Sequence, residues 1–259
     1  MSGPGVNAPG RSVAVKGRTL LQPLSMNSNP QLPLGLALQD SARFESYFPG
    51  LNDELLQHLQ LAAIGNGERL VYVAGSPGMG KTHLLQAACH SASQADRSAS
   101  YLPVRELLAL APTVLEDLEQ LDLICLDDVS AAAGHADWET GLFDLFNRVR
   151  AADKTLLVAG EQRADQCGFQ LPDLVSRLGW GVTYTLKPLG DEDVIAALAC
   201  RARGRGLDLP EETAQFMLRR FPRDLPTLFA LFDTLDTASL IEQRRLTIPF
   251  VKAVLDNKP

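Results

Sequence analysis

Residues 75–82 read Gly75-Ser76-Pro77-Gly78-Met79-Gly80-Lys81-Thr82, and the chain on either side restricts what they can fold into. The apolar run Leu70-Val71-Tyr72-Val73-Ala74 before them predicts a buried strand, and Leu84-Leu85-Gln86-Ala87-Ala88 after them predicts a helix. Strand, glycine-rich loop and helix in that order make a cradle for an anion. Glycine admits backbone conformations closed to other residues, so N–H groups can converge, and the following helix turns the positive end of its dipole toward them. In this eight-position pattern Lys81 reaches the outer phosphates of a nucleotide and Thr82 ligates the accompanying Mg²⁺. The alternative, a glycine-proline turn that happens to contain Lys-Thr, does not account for the strand and helix on its flanks.

A second site follows from the run Asp122-Leu123-Ile124-Cys125-Leu126-Asp127-Asp128, a fully apolar strand that ends in two carboxylates. Such strands belong in the middle of parallel sheets, whose ligands sit at the strands' carboxyl ends. Asp127 is there placed to bind Mg²⁺, directly or through water. Asp128 either orients an attacking water or is a helix N-cap and solvated acid.

Further strands are expected at 98–104, 154–160, ending beside Glu161, and 182–186. Helices are expected at 105–111, 138–150 and 171–178, the last carrying Arg177, and Asn52-Asp53-Glu54 reads as the N-cap and acidic first turn of a helix to about residue 64. Alternation of strand and helix around a phosphate loop predicts a doubly wound parallel sheet. Beyond Lys187-Pro188 the character changes to helices only, at 191–203, 210–220, 224–241 and 248–255, with amphipathic periods such as Val194, Ile195, Leu198 and Ala202. A domain boundary is expected near residue 187.

Charge narrows the function. The chain carries −7, spread as +3 over residues 1–30, −10 over 31–186 and 0 over 187–259. An acidic nucleotide-binding segment is a poor candidate for holding DNA by phosphate neutralisation, so protein partners are expected. No apolar run has the length of a bilayer span. Cys89, Cys125, Cys167 and Cys200 are far apart and form no C-x-x-C pair, which favours reduced, cytosolic thiols over zinc or disulfides. Residues 1–30, rich in Gly, Pro, Ser and Asn, read as a flexible tail. Gln31-Leu32-Pro33-Leu34-Gly35-Leu36 then sets three leucines at alternate positions, either as the first edge of the core or as a peptide that docks into another protein.

The whole set resembles the AAA+ ATPases, and more narrowly the DnaA/Hda family built on the module of the bacterial replication initiator DnaA. The narrower likeness rests on the aromatic-Pro-Gly-x-Asn approach from Phe44 to Asn52, the Asp-Asp strand end and the Leu-Pro-Asp-Leu-x-Ser-Arg-Leu segment at 171–178, and spans about residues 40–240. It implies an α/β fold: a five-stranded parallel AAA+ sheet flanked by helices over 40–187, with a smaller all-helical lid over 188–259. By this resemblance residues 75–82, Asp127 and Arg223 hold ADP or ATP. Thr82 and Asp127 serve the Mg²⁺, Glu161 falls near the sensor I position, and Arg177 looks like an arginine finger acting in trans. Asp128 stands where many AAA+ ATPases carry Glu, and its shorter reach implies weak hydrolysis by the protein itself.

The segment 31–36 is similar to the peptides by which bacterial proteins engage the sliding clamp, the β subunit of DNA polymerase III, with Gln31, Leu32, Leu34 and Leu36 as contacts. DnaA carries a helix-turn-helix domain after its lid, and residues 188–259 leave no room for one, so DNA is expected to be reached mainly through the clamp. The resemblance thus implies a cytoplasmic regulator, nucleoid-associated through the clamp, that stimulates hydrolysis of DnaA-bound ATP and prevents re-initiation. It also admits a homo-oligomer. The alternative is an autonomous AAA+ ATPase of replication, either helicase-loader-like or DNA-binding.

Overall fold

Five short apolar segments alternate with helices and line up as one parallel sheet. In chain order the elements are α1 (Asp53–Ala63), β1 (Leu70–Ala74), α2 (Lys81–Gln94), β2 (Ala99–Pro103), α3 (Val104–Leu107), β3 (Leu123–Asp127), α4 (Ala136–Ala151), β4 (Thr155–Gly160), α5 (Pro172–Leu178) and β5 (Val182–Thr185). The computed structural model describes residues 38–39 and 42–256, all within the unit Leu34–Pro259. The readings of 1–30 as a tail and of Gln31, Leu32, Leu34 and Leu36 as a docking peptide lie outside the described residues.

The strand order is β2-β3-β4-β1-β5. After β1 the chain crosses to the far edge, returns through β3 and β4, and places β5 on the other side of β1, which creates a switch point where crevices open at the carboxyl ends. Register brings those ends level: Ala74 is opposite both Gly160 and Thr185, and Pro103 is opposite Asp127. The phosphate loop, the Asp-Asp pair and Glu161 therefore emerge along one edge.

Alternation along the strands feeds two cores. Tyr72, Ile124, Leu126, Leu156 and Val158 pack with Trp138, Leu142, Leu145 and Leu174 from α4 and α5. Val71, Val73, Leu123, Cys125, Leu157 and Ala159 pack with Leu55 and Leu59 of α1 and Leu84 and Leu85 of α2. Burial of each such side chain is worth about 1.5–3 kcal/mol, and the two faces hold the sheet from both sides. At the opposite end Asp122 accepts hydrogen bonds from Ser98 N (3.0 Å), Ser98 Oγ (2.8 Å) and Lys154 Nζ (2.8 Å), tying the starts of β2, β3 and β4 together. The Lys154 bond, then the Ser98 bonds, hold this carboxyl well below the usual carboxylate range.

The remaining helices, α6 (Asp191–Gly204), α7 (Glu211–Arg220), α8 (Leu225–Glu242) and α9 (Ile248–Asp256), enclose a separate core around Leu198, Met217, Leu228, Phe232 and Phe250. α8 starts where Asp224 accepts the Thr227 N–H at 2.9 Å, an N-cap followed by Pro226 in the first turn. Among the described residues no helix is long and apolar enough to cross a membrane.

One expectation fails locally. Asn52 precedes α1 but makes no capping bond. Its amide instead donates to Pro49 O (3.0 Å) and Lys187 O (3.0 Å) and accepts from Lys187 N (2.8 Å). A nearly buried Asn satisfies both groups of a distant peptide in place of its own helix, because that peptide has no strand beyond β5 to pair with.

Candidate functional site

The loop leaves β1 through Gly75, whose N–H reaches Gly160 O at 3.2 Å and extends the β1–β4 pairing by one residue. Gly78 and Gly80 then take φ of +81° and +90°, the left-handed region that glycine adopts without strain. A side-chain carbon on either would collide, with Pro226 of α8 at 2.9 Å for Gly78 and with Tyr47 at 2.9 Å for Gly80. The loop is thus gripped from both sides and kept clear of its own side chains. α2 opens at Lys81 with N–H groups that have no partner inside the helix, the first bond back being Leu84 N to Gly80 O at 3.0 Å. Lys81 is 8% exposed, and its Nζ donates to Gly75 O (2.5 Å) and Ser76 O (3.1 Å). Burial pulls its pKa below the ordinary lysine value, partly countered by the charges of Asp127, Asp128 and Glu161. A polyphosphate would add the counter-charge this ammonium lacks.

Asp127, 4% exposed, sits beside the first turn of α2. Its Oδ2 accepts Thr82 Oγ1 at 2.6 Å and Tyr101 Oη at 2.8 Å, and its Oδ1 accepts the Asp128 N–H at 2.9 Å. Burial, then the Asp127 charge, pushes the Tyr101 phenol up, so it remains a donor. Thr82 and Asp127 are therefore within one ion's reach of each other, an all-oxygen pair of the kind that serves Mg²⁺ with phosphate and water completing the shell.

Asp128 turns away at φ +56° and heads the short turn Val129–Ala132 without a side-chain cap. Its carboxylate is taken by Arg105 Nε, and the same guanidinium reaches Glu161 Oε1 at 3.3 Å. Asp128 is thus neither a cap nor a freely solvated acid, and Arg105 bridges the two acids at the mouth of the site.

These groups and the C-terminal helices face each other across a cleft of about 1750 Å³. From the helical side come Arg201, Arg205, Arg223, Pro226 and Phe229. Arg223 pairs with both oxygens of Asp191 at 3.2 Å. Arg201 is held by Asp233 (2.9–3.2 Å) and lies 4.7 Å above the Phe229 ring, and Arg205 bridges Asp233 and Asp236. The base side supplies the phosphate cradle and metal oxygens, and the helical side supplies cations.

Arg177 does not line this cleft. It projects from α5 with its guanidinium carbon 4.0 Å from the Trp180 ring and 5.9 Å from Phe143. Among the described residues it makes no ion pair. The placement of α5 depends on Glu139 of α4, 1% exposed, whose oxygens accept the N–H groups of Gly134 (2.8 Å), Gln170 (2.8 Å) and Leu171 (2.7 Å). The last two immediately precede the helix that carries Arg177.

The family model of the bacterial DnaA ATPase domain matches residues 38–185, more than half of the chain. The chain belongs to the DnaA/Hda family of AAA+ proteins. The model described as the lid domain of Hda matches residues 191–255, so the DnaA-like sheet module and an Hda-type lid follow each other in one chain. Among solved structures, domain III of Thermotoga maritima DnaA superposes with a TM-score of 0.72 at 22% identity, over 86% of this chain and all of that one. AMPPCP-bound DnaA from Aquifex aeolicus gives 0.65 at 21% identity over 76% of this chain and 65% of that one. The Holliday junction branch migration motor RuvB of Thermotoga maritima gives 0.57 at 17% identity over 83% and 73%. These likenesses are of fold.

Within this DnaA/Hda module, three contributors to the site go beyond the sequence reading. Arg105 lies just past the carboxyl end of β2, where the strand-end rule that singled out Asp127 and Asp128 applies equally, whereas Tyr101 sits mid-strand and reaches Asp127 only through its long side chain. Arg201, in contrast, is one of several basic residues on an amphipathic helix, and only the packing of α6 against α8 brings it to the cleft.

Proposed function

We propose that this DnaA-related replication protein is a regulator that holds ADP or ATP, with Mg²⁺, in the cleft and presents Arg177 to the ATP of another molecule. On this reading the molecule acted on is DnaA, and the protein is tethered through Gln31, Leu32, Leu34 and Leu36 to the sliding clamp on DNA. The observation that carries the reading is that Arg177 projects from a surface helix outside its own cleft. The match of the helical segment to the Hda lid model and the AMPPCP in a DnaA of the same fold are consistent with it. Residues 75–82 would bind the phosphates, Lys81 would neutralise them, and Thr82 and Asp127 would orient the metal. Arg223 would close on the phosphates from the helical side.

The test is a reconstituted assay of DnaA-bound ATP hydrolysis with this protein, clamp and DNA, each omitted in turn. Stimulation that requires all of them is expected. Deleting residues 31–36 should remove clamp-dependent stimulation with nucleotide binding intact, and retention of the deletion variant on clamp-loaded DNA would sink the tether.

A second reading, an autonomous ATPase, is favoured by the Thr82–Asp127 pair. The Arg105 bridge weighs against it, since a carboxylate already bound to a guanidinium is a poor partner for an attacking water. Arg105→Ala is accordingly expected to raise phosphate release by the isolated protein about tenfold, equivalent to ~1.4 kcal/mol of barrier. The gain should vanish when Asp128→Ala is added. An unchanged rate would show that Arg105 does not restrain the site.

A further inference from the structure

Trp180 lies in the sequence Gly179-Trp180-Gly181 between α5 and β5, and it is 51% exposed, unusual for the largest apolar side chain. Two guanidinium carbons, those of Arg150 at the end of α4 and Arg177 of α5, each lie 4.0 Å from its ring. Phe146 meets the same indole edge-on at 6.3 Å, and Phe143 lies under Arg177. Among the described residues neither arginine makes an ion pair. That is notable in residues 31–186, where acids outnumber bases by 20 to 10. Two like charges drawn to one ring in a segment rich in acids, yet paired with none, mark a surface whose counter-charge comes from outside the chain.

The geometry points to Trp180 as the positioning residue for Arg177, with Arg150 fixing the indole from its other contact, so that the Arg177 guanidinium is presented to the phosphate of a nucleotide held by a partner molecule. The inference rests on the reading of Arg177 given above. A guanidinium over an aromatic ring keeps its charge and its in-plane N–H donors, whereas one paired with a carboxylate has both engaged. The ring thus restricts a flexible side chain without occupying the groups that would contact phosphate, and less order has to be imposed when the partner arrives. From α4, Phe146 meets the ring and Phe143 meets the Arg177 guanidinium, and Glu139 fixes the approach to α5.

The test compares Trp180→Leu, Trp180→Phe, Arg150→Gln and Arg177→Ala in the reconstituted DnaA assay, reading the saturating rate separately from the half-saturating concentration. Trp180→Leu should lower the saturating rate about tenfold, Trp180→Phe should restore most of it, and Arg150→Gln, on an exposed side chain, should lower it about threefold. Nucleotide affinity of the protein's own cleft should stay unchanged in all three. Added to Arg177→Ala, Trp180→Leu should cause no further loss, because it acts through that arginine. If Arg177→Ala keeps full stimulation, the reading beneath the inference fails. If Arg177→Ala loses stimulation while Trp180→Leu and Arg150→Gln keep the saturating rate, or if the two losses add, only the positioning role is overturned. Should Trp180→Leu fail to fold, Trp180→Phe and Arg150→Gln decide: a wild-type saturating rate in both overturns the proposal.

Discussion

Arg177→Ala is expected to leave a folded protein with unchanged nucleotide affinity that no longer stimulates hydrolysis of DnaA-bound ATP, a loss of about 10³-fold or more at saturation. The scale is that of arginines supplied in trans to a transferring phosphoryl group, where charge develops on the γ-phosphate oxygens as the bond to the leaving group breaks. Stability should hardly change, since Arg177 makes no ion pair among the described residues and its ring contacts are partly exposed. Arg177→Lys should recover little, because a point charge on a flexible stem reproduces neither the planar fork nor the stacking. Single-turnover hydrolysis of ATP preloaded on DnaA, at saturating regulator and clamp-loaded DNA, measures this directly. Undiminished stimulation would require another residue to reach the partner's phosphate.

The largest stability effect is expected at Glu139. Its carboxylate is almost fully buried and accepts three backbone N–H groups from two loops. Glu139→Ala removes the acceptor and leaves these three donors without a protein partner. At about 1–3 kcal/mol for each donor left unsatisfied, and toward the low end because the three hydrogen bonds are only partly buried, a total cost of about 3–5 kcal/mol is expected. Glu139→Gln should cost less, since the amide keeps one acceptor but turns an N–H₂ toward the others. Denaturant unfolding should show a lower midpoint with an unchanged slope. At temperatures where the variant remains folded, stimulation should still fall, because the loosened segment leads into α5 and Arg177. A variant with wild-type midpoint would mean that water replaces the carboxylate at little cost.

Much of this architecture was legible in the sequence because its signals are local. A fully apolar five-residue strand can only be buried on both faces, and glycines at 78 and 80 announce a backbone that other residues do not adopt. The five strands and the four C-terminal helices accordingly fall within a few residues of the expected positions. Asn52 misled because an Asn before an acidic turn is a good local cap, and only the three-dimensional proximity of Lys187, 135 positions away, offers it stronger partners. Arg105 was hidden for a similar reason. Its role depends on β2, β3 and β4 ending level, a property of register rather than of any short segment. Trp180 reads in sequence as an ordinary aromatic between two glycines, and its meaning comes from sharing its ring between the neighbouring Arg177 and Arg150, 30 positions away along the chain.

The bond from Asn52 to the peptide of Lys187 also limits mechanical freedom. That peptide is anchored to the sheet side, the next residue is Pro188 with its ring-locked φ, and α6 begins at Asp191. Between that proline ring and α6, Leu189 and Gly190 are the residues left over which the four-helix segment can pivot. Arg201, Arg205 and Arg223 are therefore expected to travel a short arc relative to the phosphate loop, with the Asn52 bracket opposing wide opening.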